Sequence, residues 1–190
     1  RGVLIHSISQ GISVVEESSK GVVIRAEAGH LWDDVVEWSC KEGLWGIENL
    51  SAIPSSVGAS AVQNIGAYGV EVKDVIVCVE AMAMDGNTRV FAKEECSYGY
   101  RDSIFKRELR GAYIVTHVTY RLEKTPTYRL DYGDLRSRVE AHGEPTLKAV
   151  RDAVTEIRNN KLPDPKILGN AGSFFTNPVI ARKQYEELKG

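Results

Sequence analysis

The sequence has little cysteine and no metal-binding spacing of cysteine or histidine. Among 190 residues only Cys40, Cys78 and Cys96 occur, without a Cys-x-x-Cys or His-x-x-x-His pair. An odd number of widely spaced cysteines excludes a disulfide framework and a cysteine–histidine zinc site. We therefore predict reduced thiols, no bound metal and a cytoplasmic location.

Long apolar runs and an excess of one charge are also missing. No apolar run approaches the roughly 20 residues that a membrane helix needs, and the formal net charge is −2 with a pI of about 6.1. We therefore expect neither a membrane nor a nucleic acid as partner. The hydrophobic content of 43% is enough for a core, in one substantial domain or two small ones.

Strand-like and helical patterns follow one another without a regular strand–helix–strand alternation. Runs of β-branched and other apolar residues predict strands over residues 1–8, 11–18, 21–29 and 112–123, and a hairpin over 75–92. Apolar residues at helical spacing predict helices over residues 30–43 and 146–161. This arrangement favours the α+β class over a doubly wound sheet.

Residues 51–69 consist mainly of Ser, Ala, Gly and Asn with few bulky side chains. Successive small residues allow main-chain N–H groups to converge on an anion, and a cofactor with a diphosphate is one candidate ligand. A long, tightly packed turn explains the same composition equally well. Neither a P-loop nor a dinucleotide-binding glycine motif is present.

The predicted helix over 146–161 carries two cations near its end. Arg158 and Lys161 fall in the same angular sector as the apolar stripe formed by Leu147, Val150, Val154 and Ile157. An unpaired cation on an interior side is costly, so these two residues face either a bound anion or an internal ion pair, unless the last turn is frayed.

Two further segments are ambiguous on composition alone. Residues 97–106, SYGYRDSIFK, form a polar and aromatic cluster in which Arg101 lies beside Tyr100 and Asp102, as in a loop with a surface salt bridge. Residues 169–175, GNAGSFF, contain Ser173, which is either a reactive group in a dry pocket or a turn residue.

Five blocks occur in an order and at spacings that resemble one family. They are IPSSVGASAVQNIGAYGVEV, YGYRDSIFK, LDYGDL, NNKLPDPK and NAGSFFTNPV. This set is similar to that of the UDP-N-acetylenolpyruvoylglucosamine reductases, the MurB family, and LDYGDL resembles the tyrosine loop of its type I form.

The resemblance implies a fold and an activity. The fold would be an FAD-binding domain of the vanillyl-alcohol-oxidase/PCMH type, followed by the start of a substrate-binding domain. The activity would be the FAD-dependent reduction of UDP-N-acetylglucosamine enolpyruvate to UDP-N-acetylmuramate in peptidoglycan precursor synthesis, with NADPH as hydride donor. A small-molecule substrate and a monomeric state are expected.

The resemblance also implies site residues. Ser173 matches the proton donor and Arg101 the active-site arginine. The residues implied to contact FAD are Ser55, Ser56, Gly58, Ala59, Ser60, Asn64, Gly66, Ala67, Tyr68, Val115 and Arg158. The residues implied to bind the substrate are Tyr132, Lys161, Gly172 and Asn177.

The same resemblance suggests domain boundaries. Residues 1–124 would be the FAD-binding domain, 125–160 the tyrosine loop and a returning helix, and 161–190 the serine segment with the start of the substrate domain. Because the family has a glycine-rich FAD segment before the position of Arg1 and a catalytic glutamate beyond that of Gly190, we expect this chain to be a piece that retains FAD weakly or not at all and does not turn over substrate.

Two alternatives stay open at this point. One is another FAD-dependent oxidoreductase of the same fold, which would lack the set formed by Tyr132, Lys161 and Asn177. The other is a nucleotide-binding module without catalysis, in which the same polar residues are structural.

Overall fold

The computed structural model describes residues 5–141, 143–163, 167–169 and 177–189. The chain divides into two compact units, Arg1–Ile157 and Arg158–Gly190. No helix in these described ranges is both long enough and apolar enough to cross a membrane.

The strands pair only in antiparallel fashion throughout the described part of the chain. They are β1 (Ile12–Glu17), β2 (Gly21–Glu27), β3 (Gly66–Ala67), β4 (Val70–Glu71), β5 (Ile76–Ala83), β6 (Thr88–Ala92) and β7 (Tyr113–Glu123). One sheet has the order β1-β2-β7-β5-β6, and β3 pairs with β4 in a separate small hairpin. This antiparallel sheet with separate helices confirms the α+β prediction.

Of the α-helices in the described residues, two were predicted from the spacing of apolar residues. The helices are α1 (Trp32–Lys41), α2 (Val57–Gln63), α3 (Leu135–Glu140), α4 (Leu147–Lys161) and α5 (Arg182–Lys189). Helices α1 and α4 confirm the two predicted from apolar spacing. Short 3₁₀ turns occur at Glu48–Leu50, Val72–Asp74, Lys93–Cys96 and Ile104–Lys106.

Helix α2 was not predicted, because its small residues show no apolar periodicity. Its ends explain its limits: Ser56 accepts a hydrogen bond from the N–H of Ala59 at 3.4 Å, and Asn64 takes the left-handed conformation with φ of 44°. A side chain on Gly58 would place Cβ 2.9 Å from Cβ of Ala28, so α2 packs directly on the turn after β2.

The strands predicted over 11–18, 21–29 and 112–123 are confirmed as β1, β2 and β7, and the hairpin over 75–92 as β5 and β6. The strand predicted over 1–8 is wrong for residues 5–8, which have no regular structure, and residues 1–4 lie outside the described ranges. A Cβ on Gly29 would lie 2.6 and 2.7 Å from the carbonyl oxygens of Ser9 and Ser7, so this segment runs against the turn after β2. An alternating pattern forms a strand only where a neighbouring strand accepts its hydrogen bonds.

Two hydrophobic cores position the site. In the larger core, Trp32 of α1 packs edge-to-face on Tyr120 of β7, with ring centroids 5.7 Å apart. The smaller core joins the segment after β7 to α4, and Tyr68 packs against it. Its buried members are Leu130, Leu135, Val139, Val150, Ala153, Val154 and Ile157.

Candidate active site

The main-chain N–H groups at the start of α2 are engaged within the protein. The N–H of Val57 donates to the carbonyl of His30, and that of Gly58 to the carbonyl of Ala28, each at 2.9 Å. The N–H of Ser60 donates to the carbonyl of Ser56 at 2.8 Å. These donors do not form an anion-binding nest. Residues 57–60 are the first turn of α2, so neither the nest nor the packed turn describes them.

The residues expected to contact a cofactor separate into two groups by exposure. Gly58, Ser60, Asn64 and Val115 are buried. Asn64 uses its whole amide inside the protein: Nδ2 donates to the carbonyl of Gly99 at 2.7 Å, and Oδ1 accepts from the N–H of Lys73 at 3.1 Å. The accessible group is Ser55, Ser56, Ala59, Gly66, Ala67 and Tyr68. The accessible group can therefore contact a bound cofactor directly, whereas the buried group can act only through its neighbours.

Arg101 docks on the segment that links α2 to the β3–β4 hairpin. Its guanidinium donates to the carbonyls of Asn64, at 3.3 Å, and Gly66. Its Nη1 lies 3.5 Å from Oε1 of Glu71. The structure thus brings Arg101 into contact with two of the expected cofactor-contact positions, Asn64 at the end of α2 and Gly66 of the β3–β4 hairpin.

The backbone at Arg101 is in the left-handed region, with φ of 54°. A non-glycine residue adopts this conformation only when its surroundings impose it. Here Nζ of Lys106 donates to the carbonyl of Arg101 at 2.8 Å, and the guanidinium lies 4.9 Å from the ring centroid of Tyr100. The salt bridge expected near Arg101 exists, but Asp102 forms it with Arg107.

Tyr132 lies next to the same hairpin. Its ring packs edge-to-face on Tyr68 with centroids 5.9 Å apart, and 60% of the residue is exposed. Behind this pair, Nδ2 of the buried Asn49 donates to the carbonyl of Tyr68 at 2.9 Å and to that of Arg129 at 2.7 Å. One amide therefore joins the hairpin to the segment that carries Tyr132.

The remaining expected residues all fall in the second compact unit, Arg158–Gly190. Lys161 is exposed at the last position of α4, and Arg158 is half-buried. The interior orientation predicted for Lys161 is wrong, because it follows Ile157, the last buried residue of α4, by a full turn. Asn177 is exposed, and Ser173 and Gly172 lie outside the described residues.

Sequence reasoning missed three polar residues that support this site: Asp33, Asn49 and Glu71. Each acts through a contact with a residue distant in sequence. Asp33 accepts two hydrogen bonds from the guanidinium of Arg151, 118 positions away, at 2.7 and 3.0 Å. No local pattern reports such contacts, although Glu71 does fall inside the matched block at 53–72.

A cavity of about 330 Å³ is lined in part by Thr125, Thr127 and Arg129, which lie between β7 and Tyr132. Glu48 is its most buried acidic residue, with 3% exposure, and accepts the N–H of Gly46 at 2.7 Å. Burial raises the pKa of the Glu48 carboxyl above its ordinary value. The other lining residues are Trp45, Val70, Asp74, Val75, Arg121 and Glu123. Among the described residues no group of three or more acidic, histidine or cysteine side chains could hold a metal ion.

The chain is similar to known proteins over its whole length. Residues 1–92 match the family model described as FAD binding domain. The chain is 50% identical over 188 residues to the UDP-N-acetylenolpyruvoylglucosamine reductase of Bacteroides fragilis strain YCH46, covering 99% of this chain and 57% of that protein. It is 45% identical over 190 residues to the enzyme of the same name from Pseudomonas aeruginosa, covering 98% of this chain and 56% of that protein.

A solved structure has a similar fold. The UDP-N-acetylenolpyruvylglucosamine reductase (MurB) from Thermus caldophilus matches with a TM-score of 0.59 and 27% identity, over 85% of this chain and 52% of that one. The fold and the matched model place the chain among proteins with an FAD binding domain. Over nearly its whole length, the chain is similar to proteins named UDP-N-acetylenolpyruvoylglucosamine reductase, at 45–50% identity. It spans a little over half the length of these curated relatives, 57% in the case of Bacteroides fragilis.

Proposed function

We propose that the whole protein containing this chain reduces UDP-N-acetylglucosamine enolpyruvate to UDP-N-acetylmuramate, using FAD and NADPH, in peptidoglycan precursor synthesis. The observation that carries this proposal is the 50% identity over 99% of the chain to a protein named for that reaction. The position of Arg101 on the hairpin that holds several expected cofactor contacts supports it further.

The residues present fit an FAD group. Among the residues expected to contact the cofactor, Ser55, Ser56, Ala59, Gly66 and Ala67 are accessible, and small side chains let a flat ring approach the main chain. When bound, FAD supplies a two-electron carrier between NADPH and the enolpyruvyl double bond. Arg158 is proposed to face the part of the ring where reduction builds negative charge.

Arg101 is proposed to bind the substrate carboxylate. A guanidinium has five N–H donors. In Arg101, Nη1 donates to the carbonyl of Asn64, Nη2 donates to that of Gly66, and Nη1 also lies 3.5 Å from Oε1 of Glu71. The Nε–H and one Nη2–H have no partner among the residues that the structure describes. Two free donors on one fork are what a carboxylate accepts, and they would stabilise enolate charge as it develops.

The remaining site residues are proposed to bind the nucleotide and to supply a proton. Tyr132, which is largely exposed, would close over the uridine diphosphate, and Lys161 would form an ion pair with its phosphates. Asn177 and Gly172 would contact the same substrate. Ser173 would donate the proton that completes the reduction, which a serine can do only beside a developing carbanion in a site poor in water.

Rapid-mixing kinetics on a protein of full family length test this assignment. In Ser173→Ala, flavin reduction by NADPH should keep its rate, while flavin reoxidation by the enolpyruvyl substrate should fall by at least about 100-fold. The matched control is Ser13→Ala on the edge strand β1, whose hydroxyl only donates to the carbonyl of Arg25 at 3.3 Å. Equal losses in both half-reactions of Ser173→Ala would instead indicate a structural serine.

A thermal-shift titration separates the proposal from its alternatives. UDP-N-acetylmuramate should raise the unfolding temperature and UDP-glucose should not. Stabilisation by both nucleotides, or by neither, would favour a different oxidoreductase or a nucleotide-binding module.

Two further properties belong to the same proposal. The protein is expected to be monomeric and cytoplasmic, which sedimentation and cell fractionation would test.

A further inference from the structure

Glu71 lies at the centre of a polar cluster that surrounds the Arg101 guanidinium. Its Oε1 is 3.5 Å from Nη1 of Arg101 and accepts from Nδ2 of Asn64 at 3.2 Å. Its Oε2 is 2.6 Å from Nζ of Lys73. The Glu71 side chain is 25% exposed, so these interactions are only partly screened by water.

Among the described residues, Glu71 is the one carboxylate within ion-pair distance of Arg101. The neighbouring Asp102 pairs with Arg107 instead. The other partners of the Arg101 guanidinium are the main-chain carbonyls of Asn64 and Gly66, which fix where it lies but do not balance its charge.

Glu71 can also control the direction of the guanidinium. Its carboxylate holds one edge, at Nη1, and this leaves the opposite edge, with Nε–H and the second Nη2–H, available for a ligand. Because Glu71 is itself held by Asn64 and Lys73, it is a fixed partner for a flexible arginine side chain.

We propose that Glu71 is a positioning residue for the reduction, which orients the Arg101 guanidinium toward the substrate carboxylate by holding its Nη1 edge. The inference rests on the proposed function, since it assumes that Arg101 binds the reacting substrate. Glu71 itself touches neither substrate nor cofactor in this account.

The test is Glu71→Gln in the flavin-loaded protein of full family length. The amide keeps the shape of the side chain but removes its charge. We expect kcat for enolpyruvyl reduction to fall about 10-fold, and flavin reduction by NADPH to keep its rate. The KM for the enolpyruvyl substrate should rise less than about threefold, because the binding contacts of the nucleotide remain.

The matched control is Glu95→Gln, which removes the charge of an Arg–Glu pair of 2.9 Å at the β6 edge, formed with Arg89. This control should leave both half-reactions unchanged. Thermal unfolding of each variant separates positioning from folding: the proposal requires the kinetic loss at an unfolding temperature within about 2 °C of the parent. If Glu71→Gln does not fold, Glu71→Asp replaces it. Because the aspartate keeps the charge, its kcat should fall by less than the 10-fold or so expected for Glu71→Gln.

A double-mutant cycle with Arg101→Ala makes the outcome specific. If Glu71 acts through Arg101, Glu71→Gln should lower flavin reoxidation in the parent but have no further effect in Arg101→Ala. Two outcomes would overturn the inference alone. In one, flavin reoxidation is slow in Arg101→Ala but parental in Glu71→Gln; in the other, the losses of the two substitutions are additive. An Arg101→Ala variant with parental kinetics would overturn the role proposed for Arg101 as well. Binding of UDP-N-acetylmuramate to each oxidised variant, measured by thermal shift, provides a readout that does not depend on turnover.

Discussion

Gly66 lies so close to Arg101 that it has no room for a side chain. A Cβ on Gly66 would be 2.5 Å from Nη1 of Arg101 and 2.9 Å from the carbonyl oxygen of Val70. The first contact could relax because an arginine side chain is flexible, but the second is with backbone and could not. The absence of a side chain at Gly66 therefore allows the arginine to lie flat on the hairpin.

Gly66→Ala is expected to displace the Arg101 guanidinium and to strain the β3–β4 hairpin. We expect a loss of about 1–3 kcal/mol in the free energy of unfolding, as for other overpacked sites, together with weaker reduction of substrate. Urea denaturation and steady-state kinetics measure the two effects. The control is Gly99→Ala in the same neighbourhood, where a Cβ would lie 3.6 Å from its nearest neighbour, Cβ of Asp102. Similar losses in both variants would contradict the steric argument.

Asn49→Ala should loosen the segment that carries Tyr132. The substitution removes the amide that donates to the carbonyls of Tyr68 and Arg129, and leaves both without that donor. We expect a loss of about 2 kcal/mol in the free energy of unfolding and faster chymotrypsin cleavage at Tyr128 or Tyr132. The control is Asn87→Ala in the exposed turn between β5 and β6, which should change stability by about 0.5 kcal/mol or less. Unchanged cleavage in Asn49→Ala would show that the smaller core alone holds the segment.

The parts of the fold that the sequence predicted correctly are those with a local, periodic cause. Helices α1 and α4 have apolar residues at helical spacing, and strands β2, β5 and β7 have apolar residues that are buried in the core. Helix α2 was not predicted, because its small residues show no apolar periodicity. Its stability depends on Ser56, on Asn64 and on close packing against Ala28. The strand predicted at residues 5–8 failed because alternation does not supply a pairing partner.

For the candidate site, the sequence proposed individual residues but not their arrangement. Comparison of motifs gave Arg101, Tyr68 and Tyr132, while the residues that hold them, Glu71 and Asn49, became visible only in three dimensions. Asn49 and Arg129 are 80 positions apart, and Arg101 and Asn64 are 37 positions apart. A pattern within one segment carries no information on such pairs.

The ion pair between Asp33 and Arg151 should contribute to the stability of the fold around residues 51–55. Asp33 Oδ1 also accepts the N–H of Ala52 at 2.6 Å, and Ala52 has φ of 57°, a costly conformation for alanine. Asp33→Ala should lower the free energy of unfolding by about 2 kcal/mol, after allowance for the partial exposure of the carboxylate. The control is Asp34→Ala, the exposed neighbour on the same helix, and urea denaturation measures both. Equal effects of the two substitutions would assign the loss to the helix start and not to the ion pair.

Glu48 should make the stability of the protein depend on pH in a direction opposite to that of most carboxylates. Burial raises the pKa of the Glu48 carboxyl above its ordinary value of 4.5, so the folded state holds this proton more tightly than the unfolded state. The contribution of Glu48 to the free energy of unfolding is therefore fully present below pH 4.5 and is lost as the pH rises through the raised pKa.

Replacing Glu48 by glutamine tests this sign, since the amide stays neutral at every pH and its oxygen can still accept the N–H of Gly46. Above the raised pKa, Glu48→Gln should be more stable than the parent, and this gain should disappear as the pH falls to about 4.5. Urea denaturation at a series of pH values measures the difference, with the exposed Glu42→Gln as control. A gain that grows toward low pH would mean that the hydrogen bond from the N–H of Gly46 and the attraction of Arg129 together outweigh burial, because both of these interactions lower the pKa of the Glu48 carboxyl.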